Sequence, residues 1–325
     1  MSENSPQPDL VYALACTACR DAQASSRSCF AARGSGLYRS DDGGQTWTHA
    51  YASLELGEAL PTTSVVIASA SAGAEQNPAT DCEVFAGVPG GIMHSTDGGE
   101  TWEAAILDTP PPAVSALAIS PNFAEDGVVL AASTEDGIFR SATRGSRWAR
   151  WNFGLLDLNV YCLAISPDFA RDETLFAGVE TGVFRSTNGG RAWREIDLSV
   201  GYEPVVSLAL SPRYAQDGHI FVGTETQGLL FSADDGASWT RLGEDAITDP
   251  VNSVLVSPEY PDQPSILALS ENALWFSQDG GGTWDQVKPV MEGMTAVLAP
   301  DGLSPGTRLL VGFIGGDVIS LTLEL

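Results

Sequence analysis

Lysine is almost missing from this chain, and basic residues in general are few. Lys288 is the only lysine, and 16 basic residues stand against 42 acidic ones, for a formal net charge of −26. Such a charge favours solubility and repels polyanions, which argues against nucleic acid or an anionic membrane as a partner. Two interpretations remain open: an acidic surface adapted to solubility, or a field that selects the partner.

Long apolar runs are missing as well. No stretch approaches the roughly 20 apolar residues that a membrane-spanning helix needs. The N-terminus carries acidic residues where a signal peptide needs positive charge, and the apolar run Leu10–Cys16 is too short for the hydrophobic region of such a peptide. We therefore expect a cytoplasmic protein without membrane insertion.

Histidine and cysteine, two common metal ligands, are scarce. The three histidines share no metal-ligand spacing, and we expect each to be an ordinary strand residue. Four of the cysteines fall near one another in the first two repeat units, so they could bind zinc, or two of them could form a disulfide. Free cytosolic thiols are the simpler expectation, and no cofactor is predicted. The four are Cys16, Cys19, Cys29 and Cys82.

Repetition is what the chain has in abundance. Six eight-residue segments run from a serine through a glycine-containing turn to a tryptophan. They are Ser40–Trp47, Ser95–Trp102, Ser141–Trp148, Ser186–Trp193, Ser232–Trp239 and Ser277–Trp284. Successive tryptophans lie 55, 46, 45, 46 and 45 residues apart. A period in the mid-forties along the whole chain indicates one repeated supersecondary unit rather than several unrelated domains.

Each period contains four short strands separated by turns. The first is a continuous apolar run, which predicts an inner strand buried on both faces. Four antiparallel strands per period predict an all-β protein, a single seven-bladed β-propeller of four-stranded blades. In the clearest unit the strands are Val160–Ile165, Thr174–Gly178, Val183–Ser186 and Ala192–Ile196.

The seventh unit contains only three recognisable strands, so we expect its blade to lack the outer strand. A tail of residues 1–9 precedes the propeller of residues 10–325, and Pro6 and Pro8 make this tail a poor replacement strand. Side-chain packing between the last and first blades is therefore expected to close the ring. The predicted blades are 10–50, 62–105, 113–151, 159–196, 204–242, 250–287 and 294–325.

The segment Ser-x-Asp-x-Gly-x-Thr-Trp resembles the Asp-box, or BNR, repeat of sialidases, xyloglucanases, sortilin-type receptors and photosystem II assembly-factor-like propellers. The resemblance implies a hairpin between the third and fourth strands, at the outer edge of each blade. A structural role agrees with the chemistry, because Asp or Asn bonds its own turn and tryptophan buries a large apolar area. Thr143 departs from the pattern. The structural residues are Asp42, Trp47, Asp97, Trp102, Trp148, Asn188, Trp193, Asp234, Trp239, Asp279 and Trp284.

Resemblance to glycosidases raises the question of catalysis. A sialidase needs three arginines for the substrate carboxylate, a tyrosine nucleophile with a glutamate base, and usually an Arg-Ile-Pro element, which this chain lacks. A xyloglucanase holds its paired aspartates between two propellers, and this chain has the length of one. No acid and base pair stands apart from the repeated positions, so we assign no catalytic residue and expect no enzymatic activity.

Alternating strand directions place the turns between second and third strands on the face that also carries the links between blades. In five consecutive blades this turn carries a carboxylate, which gives an acidic arc that is open at blades one and two. Two aromatic residues in a neighbouring link would suit a partner's anchor, or else they fill the space between blades. The candidate binding residues are Glu135, Asp136, Glu180, Glu225, Glu271, Asp317, Trp151 and Phe153.

The sequence thus predicts a non-catalytic protein-interaction scaffold, similar to the assembly-factor-like propellers, that binds a protein or a basic peptide on one acidic face. The acid–glycine turns also have a plainer interpretation, as good turns with solvated carboxylates. The alternative function is a carbohydrate-active or sugar-binding propeller.

Overall fold

The computed structural model describes residues 9–17, 27–68, 82–108, 110–247, 250–271 and 273–325. Seven antiparallel sheets follow one another around a ring, and each sheet is a blade whose strands pair in the order of the sequence. Six blades have four strands and the last has three. The predicted all-β, seven-bladed propeller with a three-stranded last blade is confirmed.

The strands are short, and the outer strand of each blade is the shortest or nearly so. Numbered along the chain, the strands of blades one to four are β1 Val11–Cys16, β2 Cys29–Arg33, β3 Gly36–Ser40, β4 Thr48–His49, β5 Ser64–Ala68, β6 Glu83–Val88, β7 Gly91–Ser95, β8 Glu103–Ile106, β9 Ala113–Ile119, β10 Val129–Thr134, β11 Gly137–Ser141, β12 Ala149–Arg150, β13 Val160–Ile165, β14 Leu175–Val179, β15 Gly182–Ser186 and β16 Arg194–Ile196. Those of blades five to seven are β17 Val205–Leu210, β18 Ile220–Thr224, β19 Leu229–Ser232, β20 Thr240–Leu242, β21 Val251–Val256, β22 Ile266–Ser270, β23 Ala273–Ser277, β24 Asp285–Gln286, β25 Met294–Leu298, β26 Arg308–Phe313 and β27 Val318–Thr322.

The loop between the first two strands contains one helical turn in blades three to five. In blade four, Ser166 Oγ donates to Asp172 Oδ2 at 2.5 Å, and Asp172 Oδ1 accepts the N–H of Thr174 at 2.8 Å. Phe169 lies in this turn and is only 5% exposed, so it packs back over the blade. The helical turns are α1 Phe123–Asp126, α2 Phe169–Asp172 and α3 Tyr214–Asp217, and a 3-10 turn covers Ala52–Leu54.

Neighbouring blades are joined by a recurring hydrogen bond near the ring axis. At five junctions of the described chain, a side chain of one blade donates to the carbonyl of a valine that is the first or second residue of the next inner strand. The donors and acceptors are Thr63 and Val114, Ser115 and Val160, Cys162 and Val205, Ser207 and Val251, and Thr295 and Val11. The last pair joins blade seven to blade one, so the same contact that links the other blades also closes the ring.

The second strand of a blade brings glycine against the same valine. A Cβ added to Gly223 would stand 2.1 Å from Ser207 Oγ and 2.4 Å from the Val251 carbonyl oxygen. At the ring closure, a Cβ on Gly312 would meet Val11 Cγ1 at 2.5 Å. Side chains therefore pack tightly where the last blade meets the first, as expected, while residues 1–8 of the predicted tail lie outside the described residues.

The inner strands are less buried than predicted. Val160 is fully buried, but the other residues of β13 are only half-buried, so the prediction of an inner strand buried on both faces is wrong. The reason is that an inner strand is the blade edge nearest the ring axis, where no further strand covers it; Tyr12 in β1 is 44% exposed. The core lies between blades instead, where residues such as Phe176 and Phe184 are buried.

The hairpins between third and fourth strands share one hydrogen-bond network. In blade one, Asp42 Oδ1 accepts from Ser40 Oγ at 2.7 Å and from the Thr46 N–H at 2.9 Å, while Asp42 Oδ2 accepts the Thr46 hydroxyl at 2.6 Å. Gly44 N–H donates to Ser40 Oγ at 2.7 Å. The bonds from the Thr46 hydroxyl and N–H, followed by that from Ser40, hold the pKa of Asp42 far below its usual range.

The third hairpin keeps this network without a carboxylate. Thr143 Oγ1 accepts the N–H of Arg147 at 3.0 Å and lies 3.2 Å from Ser141 Oγ, so a hydroxyl takes the place of the aspartate oxygen. Arg144 follows, at a position where most copies have glycine, with a left-handed φ of 52°. Its side chain extends to the neighbouring blade.

We expect Asp42→Asn to weaken the dependence of stability on acid pH. Because the folded pKa of Asp42 is lowered, its contribution is fully present above the unfolded value of about 3.9 and is lost as pH falls through the folded value. Tm measured by calorimetry from pH 7 to pH 2.5 should therefore differ most between variant and parent at neutral pH and converge in acid. Glu195→Gln, an exposed acid on β16, is the control. A difference that is constant across this range would contradict the prediction.

Candidate functional site

One face of the propeller, here called the link face, carries the turns between second and third strands together with the links between blades. Several of these turns are bonded to a link. In blade four the Glu180 N–H donates to the Asn159 carbonyl at 3.1 Å, and in blade five the Glu225 N–H donates to the Pro204 carbonyl at 3.0 Å. The backbone of the link face is therefore held in place by hydrogen bonds rather than left as independent loops.

The predicted acidic residues all lie on the link face but differ in their surroundings. Asp136 is half-buried, and its Oδ1 accepts from Arg150 Nη2 at 2.9 Å. Glu180 is exposed, although its Oε2 accepts from Asn159 Nδ2 at 2.6 Å. The exposed carboxylates at the turns are Glu135, Glu180, Glu225, Glu271 and Asp317.

Two of these carboxylates affect the pKa of the same tyrosine. The pKa of Tyr161 in β13 is raised, first by burial and then by the negative charges of Glu180, Asp157 and Glu225. The structure thus brings Glu180 and Glu225, from neighbouring blades, into electrostatic range of a single side chain. Their fields therefore overlap across the junction of blades four and five.

A second set of carboxylates, which the sequence analysis did not single out, holds the turns in place. Each accepts the N–H of a turn residue from a position two or three residues before an inner-strand valine, and that spacing is a sequence signal that could have identified them. Glu203 is only 4% exposed, and its Oε2 also accepts a hydrogen bond from the Thr226 hydroxyl at 2.8 Å. The pairs are Asp9 with Ser35, Asp157 with Thr181 and Glu203 with Thr226.

The structure separates the two predicted aromatic residues. Trp151 is half-buried between blades, with the guanidinium of Arg140 4.4 Å from its ring centroid, and its carbonyl accepts from Trp193 Nε1 at 2.8 Å. Phe153 is 80% exposed, although its carbonyl is fixed by the Trp193 N–H at 2.9 Å. Trp151 thus fills the space between blades, whereas Phe153 is presented to solvent on an anchored backbone.

Further large apolar side chains are exposed on the same links. Leu156 is 82% exposed beside Phe153, and Tyr202, on the link to blade five, is 83% exposed. Single exposed apolar residues are common on protein surfaces, but Leu156 and Tyr202 are each followed by a carboxylate that bonds an acidic turn, so they resemble the anchors and charged surroundings of an interface. Leu156 was not predicted, because no periodicity marks a link residue.

A buried ion cluster joins blades two and three near the hairpins. Glu83 Oε2 lies 3.0 Å from His94 Nε2, and Arg144 Nε donates to Glu83 Oε1 at 2.8 Å. Burial alone would raise the pKa of Glu83, but the bonds from His94 and Arg144 outweigh it and lower the pKa. The carboxylate is fully paired, which suits a structural ion cluster better than a general base.

The cysteine expectations need correction. Cys16 and Cys29 form a disulfide across β1 and β2, where they are register partners, so they are neither free thiols nor zinc ligands. Cys82 is buried and is not part of this disulfide, and Cys19 lies outside the described residues. Disulfides are more common in oxidising compartments than in the cytosol. A Cys16–Cys29 disulfide in the isolated protein would therefore count against the expected cytoplasmic location. The Cys162 thiol is buried between blades, which raises its pKa to about 12.

Neither a metal centre nor a membrane span is found in the described part of the chain. There, no three histidine, cysteine or acidic side chains are grouped so as to hold a metal ion. No helix among the described residues has the length and apolar character required to cross a bilayer. His49, His94 and His219 are half-buried strand or strand-adjacent residues.

The comparison with protein families identifies the hairpins. The BNR/Asp-box repeat matches residues 38–49 and 93–104. These stretches contain the Asp42 and Asp97 networks, so the chain carries BNR/Asp-box repeats. No curated protein matches the sequence.

Solved structures share the fold at low identity. YCF48 bound to a D1 peptide has a TM-score of 0.64 at 18% identity, over 98% of this chain and 95% of YCF48. The GH74 xyloglucanase from Xanthomonas campestris has a TM-score of 0.69 at 17% identity, over 98% of this chain and 52% of the enzyme. The extracellular domain of the one-component system BT4673 from B. thetaiotaomicron has a TM-score of 0.67 at 13% identity, and this chain spans 38% of it. At these identities the likeness shows the fold alone.

Proposed function

We propose that this propeller is a non-catalytic scaffold that binds a basic segment of a partner protein on its link face. The observation that carries the proposal is the pair of neighbouring links that present Leu156 and Tyr202, each more than 80% exposed. Each stands next in sequence to a carboxylate, Asp157 or Glu203, that is bonded to the turn carrying Glu180 or Glu225. Apolar anchors supply the buried area of an interface, and the carboxylates steer a basic partner and orient it.

The backbone beneath these residues supports a binding role. Phe153 and Glu180 are both fixed through main-chain bonds to strands or links of blade four, so little ordering entropy remains to be lost on binding. YCF48, a similar propeller, is seen with a peptide bound, which is a precedent for the fold and not evidence for a shared partner.

The carbohydrate-active alternative has support only from the fold. This chain spans 52% of the xyloglucanase that it resembles. Several link-face acids are engaged within the protein, for example Asp136 with Arg150 and Glu203 with Thr226, which leaves them poorly suited to act as an acid and base pair.

The test is affinity capture from native extract by the parent protein and by a Glu180→Lys, Glu225→Lys double variant. We expect the reversal to reduce capture of the specific partner at least tenfold, and added salt to weaken the parent complex, because surface charges are screened. The control reverses Glu125 and Glu195, exposed acids away from the link face, for the same change in net charge. Equal capture by both double variants would refute the proposal, and a specific glycan-array signal with no protein captured would favour the alternative.

A further inference from the structure

An apolar groove of about 680 Å³ opens between the link of blades one and two and the outer strands of blade two. The turn of blade two, residues 89–91, contributes to its lining, so the groove reaches the link face where the acidic arc is interrupted. The residues that matter most are Leu54, Leu56, Leu60, Met93, Trp102 and Ile106.

The groove has a fixed floor. Trp102 is 7% exposed, donates from Nε1 to the Ala50 carbonyl at 3.0 Å, and meets the ring of Tyr51 edge-on at a centroid distance of 5.2 Å. Met93, at 6% exposure, lies beside it in the same core cluster. The groove is therefore preformed rather than a gap that collapses in the absence of a ligand.

At the rim of the groove, in contrast, apolar side chains are exposed to water. Ile106 is 79% exposed and Leu56 is 45% exposed. Ile106 ends β8, which is the longest of the fourth strands and pairs, in the part of the chain described, with β7 alone. The outer edge of β8 can therefore offer main-chain bonds to an added extended segment.

Charge indicates what kind of segment fits. Among the described residues, Asp108 is the one charged residue that lines the groove, and it is paired with Arg150 at 2.8 Å. Glu55, Glu58 and Glu103 are exposed on the adjoining link and on β8. An apolar groove surrounded by carboxylates complements apolar side chains flanked by lysine or arginine, and it repels an anionic membrane surface.

We infer that this groove docks an extended segment of a partner protein in which apolar residues alternate with or are flanked by basic ones. The segment lies along β8, its apolar side chains enter the groove over Met93 and Trp102, and its basic residues face Glu55, Glu58 and Glu103. The inference rests on the proposed function, specifies the partner's chemistry, and adds a second contact for the partner on blades one and two, apart from the links of blades four and five.

Methyl NMR of methionine offers a direct readout. The chain has four methionines; Met294 lies in the core cluster of blades six and seven and Met291 packs against it, so they serve as internal references for Met93. The probe is a nonapeptide that alternates lysine and leucine, and the control peptide replaces lysine by glutamate. We expect a saturable shift of the Met93 methyl with the basic peptide only.

Matched variants locate the site. Ile106→Lys should lower the affinity for the basic peptide at least tenfold. Ile319→Lys, the same change at an exposed position on β27, should leave the affinity for this peptide unchanged. The inference would be overturned if the acidic peptide or a small apolar alcohol shifted the Met93 methyl equally. It would also be overturned if ultracentrifugation detected a concentration-dependent dimer that occupies the groove.

The two proposals fail separately. If the basic peptide binds, is weakened by Glu180→Lys with Glu225→Lys, and leaves Met93 unmoved, the groove inference is wrong and the link-face function stands. If Met93 responds and Ile106→Lys abolishes binding while the double reversal has no effect, the groove stands and the role of the acidic arc is wrong.

Discussion

Gly223→Ala should lower Tm by about 4 °C, which corresponds to about 3 kcal/mol of unfolding free energy for overpacking of a close-packed site. The added Cβ would lie 2.4 Å from the Val251 carbonyl oxygen, which belongs to the backbone of the next blade and cannot rotate away. The two blades would have to separate, and the bond from Ser207 Oγ to Val251 would be lost with the movement. Thermal unfolding followed by circular dichroism measures the change.

Gly57→Ala is the matched control, because a Cβ there meets nothing within 4 Å. It should stay within about 0.5 kcal/mol of the parent. Combining Gly223→Ala with Ser207→Ala removes one of the two clashes and approximates blade one, where Ala13 faces Ala32, so part of the stability should return. Equal Tm values for Gly223→Ala and Gly57→Ala would show that the junction between blades is not close-packed.

Arg144→Ala should lower the unfolding free energy by about 2 kcal/mol, because it leaves the nearly buried carboxylate of Glu83 with the His94 imidazole and without the guanidinium. The value is below that of a fully buried pair, since the Arg144 side chain is 49% exposed. The bonds from His94 and Arg144 lower the folded pKa of Glu83, so their stabilisation is present above its unfolded value of about 4.3 and is lost as pH falls. Urea unfolding at pH 7 and pH 3.5 should therefore show a smaller loss in acid.

Arg144→Gly separates the ion pair from the backbone. Glycine accepts the left-handed φ of 52° without strain, so this variant should be about 1 kcal/mol more stable than Arg144→Ala although both lose the pair. If Arg144→Gly matched or exceeded the parent at pH 7, the bond to Glu83 would contribute nothing to stability.

The spacing of the hairpin tryptophans was enough to predict the ring, because a repeated unit can bury its apolar face only against copies of itself. What the repeat could not show are the places where one copy differs. Arg144 and Asp235 both replace a hairpin glycine, keep a positive φ, and pair with another blade, Arg144 with Glu83 and Asp235 with Arg185. Such pairs depend on which blades are neighbours in space, which a single sequence does not display.

The candidate site was predictable in part. The alternation of strand directions predicts that the acidic turns lie on the link face. The exposure of individual side chains depends on local packing instead, and for this reason Trp151 is half-buried whereas Phe153 is exposed. The disulfide was left open because Cys16 and Cys29 become neighbours only through the register of β1 and β2. The groove over Met93 was missed altogether, since the long link and the strand β8 that form it are separate in the sequence.

The bond from Thr295 to the Val11 carbonyl gives the meeting point of the last and first blades the same contact as four other junctions of the described chain. Which surfaces pack together at that point is therefore decided by the circular order of the blades and not by their distance along the polypeptide.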